Sequence, residues 1–344
     1  MADALLWTGS YTSDAGGQGR GIGALSAGPD GLLRPLGLAV DCDSPSFLAI
    51  HPALPVVYAV HEHRGTVRAY RRDGPSGLAA FGDPWPAGAA ACHTAVDPQG
   101  RFLVVACWGD GQVLLYALDR NGAITSRLGA EPSQDPYGTH RPSRAHASLM
   151  LADGRVMTTD LGHDLLRIWD YLPGEGLRLA QELILPKDSG PRHLVQHPGG
   201  TVFVVTEYSI EVAVVHAGAD GRFTLAGMVP AGVAEGTDGD AAAEITLSPD
   251  ARHAYAGVRG SNRICTLEVL DGGSNLAPMA DTPSGGDWPR HHLVREGWLH
   301  VAHERSNDVV TFHLDPDTGL PVGPVGRLET GSPSALVLCA NTQG

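Results

Sequence analysis

Short apolar runs of about five residues recur along this chain, each opened by a turn and closed by a polar residue. The stretch Gly190 to Glu207, GPRHLVQHPGGTVFVVTE, holds the whole pattern. A Gly-Pro corner presents Arg192 and His193, and an apolar-biased run follows. His197-Pro198-Gly199-Gly200 then turns the chain, and the run Val202 to Thr206 delivers Glu207 at its end. Copies open at His51, Asp97, Leu151, His197, Ser248 and Arg295, spaced 46, 54, 46, 51 and 47 residues apart. A period near 49 residues belongs to solenoids and propellers.

In each copy a polar or glycine-containing bend leads to a second strand, such as Thr66 to Arg71, Gln112 to Leu118 or Asp308 to Leu314. No copy holds a long helical period, so four-stranded antiparallel units are predicted rather than βαβ units. The two ends complete the pattern. Ala4 to Gly9 and Gly21 to Leu25 read as a hairpin without its inner strand, and Ser334 to Cys339 reads as an inner strand without its hairpin. These observations predict an all-β, seven-bladed propeller of four-stranded antiparallel blades, a single domain over residues 1–344, closed by N- and C-terminal strands. An open solenoid would need capping repeats, and none is visible. The segments Ala130 to Arg144 and Pro230 to Ala241 are expected to be rim loops.

Composition agrees with many tight turns: there are 45 Gly and 25 Pro, while hydrophobic residues at 42% argue against disorder. The formal net charge of −14 repels polyanions, so neither nucleic acid nor an anionic membrane is an expected partner. The start MADALLWTGSY lacks a basic segment followed by a long apolar one, and the chain has no long uncharged apolar stretch. The expectation is a cytoplasmic monomer or weak homodimer. Five widely spaced cysteines without a CxxC pair are expected to be reduced; Cys92 and Cys107 read as buried filler.

A shared register should place equivalent residues in rings around a central axis. The residue ending the first strand of each hairpin is read as Ser10, Glu62, Trp108, Asp160, Glu207, Arg259 and Glu304, a polar rim at one mouth. A second ring, five residues before each turn anchor, is Ser46, Cys92, His146, Arg192, Ala243 and Arg290, with His93, His193, Glu244 and His291 one position later. Because neighbours in a regular strand face opposite ways, His146 and the arginines are expected to point inward. His193 and His291 are then expected to support the turn or the next sheet layer.

The candidate catalytic residues are His146, Arg192, Glu207 and Arg259, with Arg290, Glu62, Trp108, Asp160, Glu304 and His93 as substrate contacts. Arginines bind a carboxylate or phosphate while His146 or Glu207 moves a proton. The competing structural reading is that the arginines and acids pair to hold neighbouring blades together. No HExxH, P-loop or GxSxG motif is present, and the glycines at Gly16 to Gly21 precede no helix. The arginines oppose a nearby cation, so no metal and no cofactor are expected.

The phrases HPxxxxVYAVHE, DPQGRFLVVA, GPRHLVQHPGGTVFVVTE and LDPDTG resemble the seven-bladed propeller lactonase family, which includes 6-phosphogluconolactonases and the fungal 3-carboxy-cis,cis-muconate lactonizing enzyme. The resemblance covers essentially the whole chain. It implies a metal-independent cluster of one histidine, two arginines and one glutamate, which by motif position falls on His146, Arg192, Glu207 and Arg259; Asp160 lies in the similar TTDLGHD segment. The expected function is lactone hydrolysis or lactonizing cycloisomerisation of a small anionic metabolite. Two alternatives remain open at this level: a non-catalytic propeller that binds an anionic metabolite or peptide, and a cyclase or isomerase of specialised biosynthesis using the same pocket.

Overall fold

A computed structural model describes residues 3–339 as seven four-stranded antiparallel sheets arranged in a ring. The innermost strands are Pro45–Ile50, Ala91–Val96, Ala145–Met150, Pro191–Gln196, Ala241–Leu247, Pro289–Arg295 and Pro333–Leu338, which head the first to seventh blades in that order. Each touches the inner strand of the next blade, and the seventh touches the first, so the ring is closed. Closure runs through the termini: Pro333–Leu338 pairs antiparallel with Ala4–Ser10, and Gly21–Ala27 and Leu33–Asp41 complete the seventh blade. This is the architecture predicted from the repeat.

The second strand of each blade is apolar on both faces because each face packs against a different neighbouring blade. In Val202–Thr206, Phe203 and Val205 pack with Ala254 and Val258 of the fifth blade, whereas Val202 and Val204 pack with Met157 and Leu166 of the third. The outermost strands alternate between half-buried and exposed positions, as in Gly176–Ile184, because one face meets water.

All seven inner strands share a feature that governs the channel. Their pairing with the second strand shifts register near the mouth, at Ser46, Cys92, His146-Ala147, Arg192-His193, Ala243-Glu244, Arg290 and Ser334. Such a bulge frees consecutive residues from strict alternation and aims more of them at the axis. The loop of residues 130–144 runs from the strand Ile124–Gly129 to the inner strand of the third blade, as expected for an insertion.

Candidate active site at the channel mouth

One mouth of the channel opens into a cavity of about 560 Å³. Its wall is set by a repeated backbone hydrogen bond. In six blades the N–H of the residue just past the second strand donates to the carbonyl before the inner strand: Tyr11 to Ser332 (3.0 Å), Glu62 to Ser44 (3.2 Å), Trp108 to Ala90 (2.9 Å), Leu161 to Arg144 (2.9 Å), Glu207 to Gly190 (2.7 Å) and Glu304 to Trp288 (3.1 Å). All of these acceptors except Arg144 have left-handed backbone. At Gly190 this conformation coincides with crowding, since an added Cβ would meet the Tyr208 ring at 2.6 Å.

These hydrogen bonds correct the rim ring. Tyr11, Glu62, Trp108, Glu207 and Glu304 share one position, whereas Ser10, Asp160 and Arg259 sit one residue earlier, at the last paired position of their strands. The turns that anchor the copies differ in length by a residue or two, and a shift of one residue turns a side chain to the other face. Tyr11 therefore lines the cavity although it was not expected there, as do Asp14 and Ala15 from the helical turn Ser13–Ala15 and His63 from the turn after Glu62. The missed signal was Tyr11 directly following Ser10.

Asp160 is outside the cavity lining. Its Oδ2 accepts from Ser133 and Ser143 Oγ (both 2.6 Å), and its Oδ1 from the backbone N–H groups of Arg144, Gly162 and His163 (2.8, 3.2 and 3.0 Å). It ties the 130–144 loop to the third blade rather than facing a substrate.

Arg259, in the same register, reaches the cavity because its long side chain folds back across the mouth. Its Nε and Nη2 donate to the carbonyls of Ala241 and Ala242 (both 3.1 Å). The Nη2 also lies 2.8 Å from Glu207 Oε2. From the inner strand of the fourth blade, Arg192 Nε lies 2.9 Å from the same oxygen, a charge contact without hydrogen-bond alignment, while its Nη1 donates to Ala243 O at 2.6 Å. Arg192 and Arg259 are 2% and 5% exposed. Burial first, then the neighbouring guanidinium, pushes Arg259 down to about 10, with Glu207 opposing. Burial likewise lowers Arg192. Among the described residues, Arg192 Nη2 and Arg259 Nη1 have no hydrogen-bond acceptor.

His146 lines the same cavity and is 5% exposed. Burial, then the charge of Arg192 and the neighbouring His193, Arg290 and His93, holds its pKa well below the usual imidazole value, so the ring is neutral near pH 7. Its Nδ1 is buried without a hydrogen-bond partner. Cys92 also lines the wall, but burial pushes its thiol pKa up, and its Sγ donates to His146 O at 3.4 Å. It is a wall atom, not a nucleophile.

The remaining substrate candidates divide. Arg290, Glu62, Trp108 and Glu304 line the cavity. Arg290 donates to the Tyr11 hydroxyl and lies 3.5 Å from Glu304 Oε2; Tyr11 in turn donates to Glu62 Oε2 at 2.8 Å. Burial opposes the Arg290 charge, but Tyr11, Glu304, Glu62 and Glu207 outweigh it and push its pKa up. Trp108 is 38% exposed and carries the Arg144 guanidinium 4.1 Å over its ring.

His93 is not part of the lining. It belongs to an axial plug beneath the cavity, where Phe47 lies 4.3, 5.6 and 5.7 Å from the rings of His93, His193 and His291. His193 meets the rings of His93 and His146 at 5.2 and 5.3 Å. Phe47, His93, His193 and His291 come from the first, second, fourth and sixth blades, so their rings converge at the axis. The expectation that His193 and His291 support the turn or the next sheet layer instead of pointing inward is therefore corrected: the bulged strands aim them at the axis. Glu244 lies in the plug with them, its Oε2 2.6 Å from His193 Nδ1 and 3.4 Å from His291 Nε2. Among the described residues no group of three His, Cys, Asp or Glu side chains is placed to hold a metal ion, and no helix is long and apolar enough to cross a membrane.

Residues 5–338 match the family model described as "Lactonase, 7-bladed beta-propeller". The chain is 28% identical over 330 residues to a 6-phosphogluconolactonase of Bacillus subtilis, covering 93% of each protein. Among solved structures it is similar to the periplasmic gluconolactonase of Pseudomonas aeruginosa, with a TM-score of 0.89, 24% identity and 98% and 99% of the two chains covered. A protein from Lactobacillus plantarum gives a TM-score of 0.89 at 22% identity, over 98% and 100% of the chains. At these identities the structural likenesses speak for the fold.

Proposed function

This chain belongs to the seven-bladed β-propeller lactonase family, and on that premise we propose that it hydrolyses a small lactone in the channel-mouth cavity. The observation that carries the reading is one carboxylate, Glu207, shared by two buried arginines in a cavity that also holds a neutral imidazole. The name of the Bacillus subtilis relative supports the same reaction class.

The chemistry follows from the groups left unoccupied. Arg192 Nη2 and Arg259 Nη1 supply the donors that polarise the lactone carbonyl and stabilise the oxyanion as it forms. Glu207 keeps the two guanidinium groups together against their mutual repulsion. Neutral His146 accepts a proton from water as the water oxygen attacks the carbonyl carbon. The tetrahedral intermediate then breaks its bond to the ring oxygen, which leaves with the proton held by the imidazolium. The products are a hydroxyl group and a carboxylic acid, and the acid ionises beside the arginines.

A pH-indicator assay against neutral, carboxylated and phosphorylated sugar lactones tests this. Wild type is expected to release acid faster than buffer on at least one of them, and R192A and H146A are expected to lose about 100-fold in kcat/KM. Wild-type rates equal to buffer across the panel overturn the hydrolytic reading.

A further inference from the structure

The cavity is electrically lopsided across its diameter. The third, fourth and fifth blades contribute Arg192 and Arg259 against Glu207, with neutral His146: two positive charges to one negative. The sixth, seventh and first blades contribute Arg290 against Glu304, Asp14 and Glu62, with His63 near Asp14: one formal positive charge to three negative. Trp108, from the second blade, stands between the two halves.

The acidic half is also short of donors. Glu304 Oε2 and Asp14 Oδ2 are buried with no hydrogen-bond donor aimed at them. Asp14 uses its other oxygen to accept from Thr12 and Ser44 hydroxyls at 2.6 and 2.5 Å, and those bonds hold its pKa low against burial. The half's one cation is already engaged, with Arg290 donating to Tyr11 and facing Glu304. Buried acceptors without donors favour a ligand that brings hydroxyl groups. Uncompensated negative charge disfavours a ligand that brings another anion.

Resting on the lactone-hydrolysis reading above, we propose that Glu62, Glu304 and Asp14 form the specificity half of the site, which takes the uncharged hydroxylated tail of a sugar-acid lactone and rejects a phosphorylated tail. The anionic end of the product, its new carboxylate, stays on the Arg192 and Arg259 side. The two halves thus read the two ends of one ligand by opposite charge.

Binding of the open acids tests this without requiring turnover. Gluconate and 6-phosphogluconate carry the same carboxylate and differ at the tail phosphate. By titration calorimetry on the wild-type chain, gluconate is expected to bind at least about tenfold more tightly. E62Q and E304Q, which remove charge while keeping volume, are each expected to narrow that preference several-fold. Equal or tighter binding of 6-phosphogluconate overturns the proposal. So does an absence of gluconate binding at millimolar concentration, or a preference that neither variant moves. Kinetics on the matching lactones separates the two readings. Preferred hydrolysis of the phosphorylated lactone removes this inference and leaves the lactonase; selective gluconate binding with no hydrolysis leaves this inference and removes the lactonase.

Discussion

Arg192 stands on the inner strand of the fourth blade and Glu207 one residue past its second strand, and the Arg192 Nε sits 2.9 Å from a carboxylate oxygen that Arg259 of the next blade also touches at 2.8 Å. The site and the packing of the fourth and fifth blades therefore depend on one charge.

Replacing Glu207 by Gln leaves two buried guanidinium groups facing each other without their shared anion. Breaking such a pair from one side costs about 3 kcal/mol. E207Q is expected to lower the urea midpoint accordingly and, on the proposed lactone hydrolysis, to reduce kcat/KM by about 100-fold. A variant with wild-type stability would show that the two arginines do not depend on this charge.

Acid should loosen the axis before it reaches the carboxylates. Burial first, with His193 and His292 adding to it and Glu244 opposing, pushes His291 down to about 4, and His93, His146 and His193 shift in the same direction. For these groups the unfolded chain binds protons at a higher pH than the fold does. Their stability is therefore fully present above about pH 6.5 and is lost as pH falls toward the folded pKa. Between pH 6.5 and 5 the loss from His291 alone is about 2 kcal/mol. Urea unfolding at both pH values measures it, and an unchanged midpoint would contradict the buried neutral imidazoles.

D160A separates anchoring from chemistry. It removes the acceptor of two hydroxyls and three backbone N–H groups, so about 2 kcal/mol of stability should go. The kcat should stay within about threefold, because proton transfer requires hydrogen-bond reach and Asp160 is outside the cavity lining. A collapse of kcat with unchanged stability would return Asp160 to the site.

Ring closure is testable by truncation. A chain ending at Gly331 lacks the inner strand Pro333–Leu338 and leaves Ala4–Ser10 with an unpaired edge beside the axis. It is expected to lose cooperative unfolding and to self-associate in size-exclusion chromatography. A monomer with the wild-type midpoint would mean that the closing strand adds nothing to the ring.

The fold and part of the candidate site were legible along the chain. Four residues singled out for chemistry, His146, Arg192, Glu207 and Arg259, do line one cavity, and the inner ring from Ser46 to Arg290 falls on the bulged positions. Asp160 and His93 were misplaced and Tyr11 was missed for two reasons. Unequal turns slipped the count by one residue, and the bulges broke the alternation that was assumed for Arg192 and His193.

The sequence by itself determined the number of blades, the closure through both termini and the apolar second strands. These follow from local alternation and from a repeat whose hydrogen-bonding partners are near in the chain. Only the tertiary structure decided which side chains meet at the axis. Phe47, His93, His193 and His291 are far apart in sequence and converge because seven bulged strands surround one line. The polarity of the cavity was decided in the same way, since the order of blades around the ring sets Arg192 and Arg259 in one half and Glu62, Glu304 and Asp14 in the other.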